Sequence, residues 1–163
     1  MRLWKFWGKM VLIYIRTYPL SPEFRLKDIN KSERHTCIDL GDDDFTRGKP
    51  HPMIDPIGRI ERLPKESNDN EVCIVLMDFV IGYGSNMDPA GEMLPYIIEA
   101  KENMKKRGGY LSVIGYICGT NNDPQSYVKQ KEKLEENGVI LMPSNAQAVR
   151  LVSEILKRLY ASK

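Results

Sequence analysis

The sequence has no long hydrophobic run. Its longest early run, Met10–Ile15, is far shorter than the roughly 20 residues that a membrane-spanning helix needs. The run is also short for the core of a signal peptide, and no small-residue cleavage site follows it. With 42% hydrophobic and 28% charged residues, the chain of 163 residues has the composition of a soluble globular domain. We therefore expect a cytoplasmic protein that does not cross a membrane.

A strong net charge is also lacking. The 24 Lys and Arg residues nearly balance the 22 Asp and Glu residues, which leaves a net charge of +2. A protein that binds along nucleic-acid phosphates usually carries far more positive charge, so no nucleic-acid partner is expected. Residues 1–34 hold eight basic and three acidic residues, and the rest of the chain holds 16 and 19. We predict a basic arm over residues 1–34, with room for one extra strand, and a folded domain over residues 35–163.

The first 18 residues contain two tryptophans, Trp4 and Trp7, and four basic residues without an acidic one. A segment of this kind can lie on a membrane surface. The simpler alternative, which we favour, is a strand or arm that packs on a partner or on the sheet.

Cysteine and histidine are scarce, with three and two residues. Cys37, Cys73 and Cys118 are odd in number, lack Cys-x-x-Cys spacing and lie within apolar runs, which predicts buried reduced thiols. His51 is held between two prolines and could act as a base or nucleophile, although a lone histidine is more often structural. We therefore predict that none of these cysteine and histidine side chains is catalytic or binds a metal ion.

Four apolar runs of strand length alternate with helical patterns from residue 35 onward. They are His35–Leu40, Val72–Ile81, Leu111–Cys118 and Val139–Met142. Nearly continuous apolar runs are typical of strands that are covered on both faces, as in a parallel sheet. The alternation predicts an α/β fold with a mainly parallel, doubly wound sheet.

The helices between these runs have recurrent start and stop signals. Three Asp-Pro pairs offer an N-cap followed by a proline at the first helical position: Asp55-Pro56, Asp88-Pro89 and Asp123-Pro124. Ser144 offers a cap to the last helix, and Gly108 and Gly138 follow the expected ends of two helices.

Ligands of open α/β sheets bind beyond the carboxyl ends of the strands, so the loops there are the candidate site. One loop is Gly-rich and leads into a helix start, where free N–H groups favour an anion. The loop after Leu111–Cys118 has the same order of a glycine, polar residues and a predicted helix start. We predict that phosphate or another anionic small molecule binds to Gly82, Gly84, Ser85, Asn86, Gly119, Thr120 and Asn121.

The loop after the first apolar run carries three consecutive carboxylates, Asp42–Asp44. They could hold Mg²⁺, which prefers oxygen ligands, or could be solvated or paired with nearby basic residues. Asp42 and Asp44 also fit the D-x-D-x-T pattern of Mg²⁺-dependent phosphohydrolases. That alternative lacks a directly preceding strand and a late acidic pair.

Several long strings in these loops resemble the FdrA family, whose members look like rearranged succinyl-CoA synthetases. The strings run over residues 38–56, 77–92, 118–125 and 142–147, and the resemblance extends over about residues 13–160. It implies a flavodoxin-like three-layer sandwich, similar to the CoA-ligase domain of the succinyl-CoA synthetase β subunit. There, a Gly-rich loop directs a helix N-terminus at a phosphohistidine carried by the other subunit, and Gly82–Asp88 match that loop.

The resemblance also implies chemistry that this chain cannot perform alone. FdrA-type proteins are associated with acyl-CoA synthesis and with carbamoyl transfer between oxamate and carbamoyl phosphate. The chain lacks their CoA-binding Rossmann-like domain, a Gly-His-Ala-Gly phosphohistidine loop and an ATP-grasp pattern. We therefore expect a free-standing or truncated ligase-like domain with no tightly bound cofactor. CoA or nucleotide would act only through a partner domain in a homo- or hetero-oligomer. A non-catalytic oligomerisation domain is the alternative.

Overall fold

The computed structural model describes residues 14–17, 19 and 21–161. The chain divides into two compact units between Lys49 and Pro50, and each unit is described by itself. The arm expected over residues 1–34 remains a prediction, and Trp4 and Trp7 lie outside the described residues.

The first unit contains a two-stranded parallel sheet and two short helical segments. Strand β1 (Tyr14–Arg16) pairs with β2 (His35–Cys37), with Tyr14 opposite His35. A 3₁₀ turn spans Pro22–Phe24, and α1 spans Asp43–Thr46. Strand β1 falls within residues 1–34, the range over which the sequence predicts a basic arm.

The second unit contains the larger sheet and four helices. In chain order they are α2 (Ile57–Ser67), β3 (Ile74–Val80), α3 (Pro89–Lys106), β4 (Ser112–Cys118), α4 (Tyr127–Glu136), β5 (Ile140–Leu141) and α5 (Asn145–Ala161). The strands are parallel in the order β3-β4-β5, with Ile74 opposite Ser112 and Ile114 opposite Ile140. The mixed α/β fold and the parallel sheet are as predicted. The expectation that all four apolar runs join one sheet is wrong, because β2 pairs with β1 and is only three residues long.

The main core lies on one face of the larger sheet. Phe79, Val113 and Ile117 pack there with the buried face of α3, including Met93 and Ile97. Ile114 lies on the opposite face, since side chains alternate along a strand. Helix α5 contacts β3 and β4 through buried residues outside that core cluster, so helices cover both faces.

β3 forms one edge of the three-stranded sheet. Cys73 C=O and Ile81 N–H bond toward β4, so the backbone of the even-numbered residues of β3 turns outward. On that outer side, Arg59 of α2 donates to the Asp78 backbone oxygen and to Asp78 Oδ1, both at 2.5 Å. Arg59 therefore covers the edge near the carboxyl end of β3.

Of the three predicted helix starts, Asp88-Pro89 agrees with the structure, and Asp55-Pro56 is displaced by one residue, because Pro56 is the cap residue and α2 begins at Ile57. Asp88 caps α3, and Asp55 Oδ1 accepts the N–H of Ile57, the first residue of α2, at 3.0 Å. Asp123-Pro124 does not begin a helix. The Asp123 carboxylate instead accepts the backbone N–H of Thr120, and α4 begins three residues later behind Ser126.

The cysteine prediction is wrong in part. None of the three cysteines forms a disulfide, but Cys37, Cys73 and Cys118 are all exposed. Two of them are the last residues of their strands, and Cys73 lies just before β3, so none occupies the covered middle of a strand.

Candidate functional site

The loops after β3 and β4 lie side by side at the carboxyl end of the larger sheet. Ile81 N–H bonds to Cys118 C=O at 2.9 Å, which extends the strand pairing up to the first loop. A Cβ at Gly119 would overlap Ile81 Cγ1, so this close approach requires glycine. The structure thus places the two loops that the sequence predicts as the candidate site, those after β3 and β4, in contact with each other.

Gln125 joins these two loops. Its Oε1 accepts the Gly82 N–H at 3.0 Å, and its Nε2 lies 2.8 Å from the Gly82 backbone oxygen. Nε2 also lies 3.0 Å from both Ser85 Oγ and the Asn86 backbone oxygen. The side chain is 5% exposed. Gln125 therefore determines the shape of the first loop.

Ser85 and Asn86, predicted as ligand-binding side chains, mainly support their own loop. Ser85 Oγ donates to Gly82 C=O at 2.8 Å. Asn86 Oδ1 accepts the Asp88 N–H at 2.8 Å, and its Nδ2 donates to Ile54 C=O at 3.2 Å. These contacts hold both side chains within the protein.

The second loop is also held by its own side chains. Asp123 Oδ2 accepts the Thr120 N–H at 2.5 Å and the Thr120 hydroxyl at 3.1 Å. Thr120 Oγ1 in turn accepts the Asn122 N–H at 3.3 Å. Asn121 is exposed at the tip. Of the predicted residues in this loop, Asn121 is the one whose side chain remains available to a ligand.

The first turn of α3 is tied to α4 by two polar side chains. Ala90 N–H donates to Gln130 Oε1 at 2.9 Å, and Gly91 N–H donates to Asp88 Oδ1 at 3.1 Å. Gln130 Nε2 also donates to Asp88 Oδ1 at 2.9 Å, and Lys133 Nζ lies 2.5 Å from Asp88 Oδ2. The N–H groups of this helix end are therefore bonded within the protein.

The environment of Asp88 keeps it ionised. Partial burial by itself would raise the pKa of its carboxyl. Hydrogen bonds from Lys133, Gln130 and the Gly91 N–H, with the charge of Lys133, outweigh this effect and lower the pKa below its ordinary value. The helix end thus carries a fixed negative charge that is balanced by one lysine.

A second ionic group lies on the sheet just before the first loop. Asp78 pairs with Arg59 and stands opposite Tyr116 in the register of β3 and β4. Burial raises the pKa of the Tyr116 phenol, and the charges of Asp78 and Cys118 raise it further against the opposing charge of Arg59. The Tyr116 phenol therefore stays protonated.

The remaining outward groups belong to the tip of the first loop. Tyr83 is 88% exposed, and the space around Gly84 is open. Within the described part of the chain, no hydrogen bond uses the backbone N–H of Tyr83, Gly84 or Met87. These amides, with Asn121, are the groups through which the two loops can bind an anion.

The other candidate residues have structural roles. Asp42 caps α1 by accepting the Asp44 N–H at 3.0 Å, and it lies in the first compact unit. His51 is exposed, and its Nδ1 accepts the Met53 N–H at 3.2 Å. Over residues 14–17, 19 and 21–161, no group of three or more His, Cys, Asp or Glu side chains is arranged to hold a metal ion.

Across the described residues, no helix combines the length and the apolar character needed to cross a membrane.

Comparison with known proteins relates this chain to an enzyme family. The chain is 47% identical over 144 residues to a protein of Escherichia coli (strain K12) named uncharacterized protein YahF. The similarity covers 88% of this chain, which spans only 28% of the length of YahF. The model of the CoA-ligase family matches residues 16–155. The chain therefore belongs to the CoA-ligase family.

Proposed function

We propose that the chain is the ligase module of an FdrA-type, succinyl-CoA synthetase-like system and that it acts together with a CoA-binding domain or subunit. The match to the CoA-ligase family over residues 16–155 carries this proposal. The similarity to about a quarter of YahF supports the role of one module among several. CoA and nucleotide would enter the reaction through the partner.

In this proposal, the module binds an anionic phosphoryl, acyl or carbamoyl group between its two loops. The observations that support the binding are the backbone N–H groups of Tyr83, Gly84 and Met87, which no hydrogen bond of the described residues uses, and the exposed Asn121 in the second loop. Successive backbone N–H groups in a turn can form a concave site for an anion. Gly82, Ser85, Asn86, Gly119 and Thr120 contribute by giving the loops their shape.

A second candidate function is a non-catalytic interaction or oligomerisation domain. Exposed apolar side chains flank the first loop: Ile54, Tyr83, Met87 and Val128. Asn86 bonds to the backbone of Met53 and Ile54, and Gln125, close to Val128 in sequence, bonds to Asn86, so these side chains belong to one end of the second unit. Exposed apolar surface of this kind often marks a protein contact. Both functions can reside in one module.

Titration of the ¹⁵N-labelled chain with inorganic phosphate and, separately, with succinate tests the anion proposal. We expect saturable shifts of the Tyr83, Gly84, Met87 and Asn121 amides. Asn121→Ala should weaken binding about threefold to tenfold, the usual effect of one lost hydrogen bond. The amides at the start of α5 serve as the internal comparison, because that helix has a serine cap but no Gly-rich loop before it.

Shifts that are equal at the two helix starts, or that do not saturate, would contradict anion binding at the loops. An unchanged Kd in Asn121→Ala would exclude that side chain from the site.

A further inference from the structure

One face of the larger sheet is open next to the loops after β3 and β4. The even-numbered residues of β4 lie on the face opposite the main core, since side chains alternate along a strand. On that face Ile114 is fully buried, Tyr116 is partly exposed and Cys118 is exposed. The cover over this face therefore ends between Ile114 and Cys118, which leaves the carboxyl end of the face accessible to a ligand.

Two polar side chains on this open face stand directly opposite each other. Asp78 of β3 lies opposite Tyr116 of β4 in the parallel register, and neighbouring strands are about 4.8 Å apart. Opposite residues share one face of a sheet, and the charge of Asp78 is one cause of the raised pKa of the Tyr116 phenol. A small ligand on this face can therefore contact both side chains at once.

Arg59 uses one oxygen of the Asp78 carboxylate and leaves the other for a ligand. Its Nη2 lies 2.5 Å from Asp78 Oδ1, and its Nη1 donates to the Asp78 backbone oxygen. Within residues 14–17, 19 and 21–161, no hydrogen bond uses Asp78 Oδ2 or the Tyr116 hydroxyl. The Asp78 side chain is 35% exposed, so the carboxylate is within reach of a ligand.

The two unused groups have opposite hydrogen-bonding character. An ionised carboxylate only accepts hydrogen bonds, whereas a protonated phenol can donate one. A ligand that satisfies both needs an N–H donor and a carbonyl acceptor on one carbon atom, which is the arrangement of a primary amide. A ligand carboxylate could accept from the phenol, but its negative charge would lie against Asp78. The chemistry of the pair therefore favours a neutral amide over an anion of the same shape.

We propose that Asp78 and Tyr116 form a subsite for a neutral primary amide, in which the phenol donates to the amide oxygen and Asp78 Oδ2 accepts an amide N–H. Arg59 is a positioning residue that fixes the carboxylate through its other oxygen. Val80 and Cys118, the next opposed pair on this face, offer apolar contact to the alkyl chain of the ligand. The subsite uses none of the loop N–H groups, so it goes beyond the anion-binding function and does not depend on it.

Titration of the ¹⁵N-labelled chain with propionamide and, separately, with propionate tests this proposal by NMR. The two ligands have the same shape and differ in the group that would face Asp78. We expect saturable shifts of the backbone amides of residues 78 and 116. Propionamide should bind there about threefold to tenfold more tightly than propionate, which is the usual effect of one hydrogen bond.

Asp78→Asn should reverse this preference. Asparagine keeps an oxygen for Arg59 and carries an NH₂ donor in place of the second oxygen, so the free group then matches a ligand carboxylate. We expect propionate to bind about threefold to tenfold more tightly than propionamide in this variant. Circular dichroism and thermal melting establish that each variant is folded.

Tyr116→Phe keeps the aromatic ring and removes the hydroxyl. It should weaken propionamide binding about threefold to tenfold, because one hydrogen bond is lost. Tyr110→Phe is the matched control, since Tyr110 is 78% exposed and lies at the opposite end of β4 from Cys118. The control should change the Kd by less than about twofold, because it is remote from the subsite.

Equal affinities for the two ligands at residues 78 and 116, or shifts that do not saturate, would overturn the amide subsite. A preference for propionamide that persists in Asp78→Asn would overturn it as well, and so would equal effects of Tyr116→Phe and Tyr110→Phe. The amides of Tyr83 and Gly84 report separately on the loops. Failure of phosphate to shift them would contradict the anion-binding function alone.

Discussion

At the scale of single residues, the sequence predicted the cap at Asp88 but not the need for glycine at position 91. The Asp-Pro pair at 88–89 predicted an N-cap, and Asp88 accepts the Gly91 N–H as a cap does. The glycine three residues later was unexplained by the sequence. Its reason depends on where the carboxylate lies in space, and the partners of that carboxylate, Gln130 and Lys133, come from more than 40 residues away.

Gly91→Ala should destabilise the protein because the added methyl group displaces the Asp88 carboxylate. We expect a loss of about 1–3 kcal/mol in the free energy of unfolding, as for other overpacked sites. Gly58→Ala is the matched control, since Gly58 is also an early helical glycine but has open space around its Cα. That control should gain about 0.5–1 kcal/mol from helix propensity. Urea denaturation measures both, and equal changes in the two variants would contradict the overlap at position 91.

At the scale of elements, the helices and central strands were predictable and the details of one loop were not. Continuous apolar runs located β3 and β4 because both strands lie within the covered sheet. The helix start predicted at Asp123-Pro124 is wrong because an Asp-Pro pair can also close a turn. Here the Asp123 carboxylate accepts the Thr120 N–H, which closes a turn instead of capping a helix. Gln125 carries no local pattern at all, since its partners lie about 40 residues earlier in the chain.

Gln125→Leu tests how much the loop after β3 depends on this one side chain. Leucine fills a similar volume but leaves the Gly82 N–H without its partner, while the Gly82 C=O keeps its bond from Ser85 Oγ. We expect a loss of about 1–3 kcal/mol and faster hydrogen exchange at Gly82, because unpaired buried polar groups are costly. Gln147→Leu is the control, an exposed glutamine of α5 whose replacement should change stability by less than about 0.5 kcal/mol.

Slow exchange at Gly82 in Gln125→Leu would show that the loop holds its shape without the glutamine. In that case Gln125 would be a core residue rather than a positioning residue for the site.

At the scale of the whole molecule, the alternation of apolar runs with helical patterns predicted an α/β chain but not its division into two compact units. The chain divides into two compact units between Lys49 and Pro50, and the basic arm over residues 1–34 stays a prediction from the charge pattern. Charge is a surface property, but a compact unit is defined by contacts. Strand β2 lies within the predicted run His35–Leu40, but its pairing with β1 could not be foreseen, because three-residue strands carry too little pattern to specify a partner.

The proposed need for a partner is testable with the whole chain. Incubated with ATP, CoA and succinate, it should form no acyl-CoA above the blank when products are trapped as hydroxamates. The physical reason is that the segment after Leu111–Cys118, where a phosphohistidine loop would fall, has no histidine to carry a phosphoryl group. An intact succinyl-CoA synthetase in parallel shows that the assay works, and turnover by this chain alone would refute the requirement.

The ion pair between Arg59 and Asp78 has a consequence for how copies of this chain behave in concentrated solution. β3 is an apolar edge strand, and Leu76 in its middle is 38% exposed. Open edges of this kind recruit strands from other molecules and lead to aggregation. A strand approaching the carboxyl half of β3 would first have to remove the guanidinium from the Asp78 carbonyl. Arg59 thus hinders the addition of a strand from another molecule at the carboxyl end of β3, which leads into the candidate site.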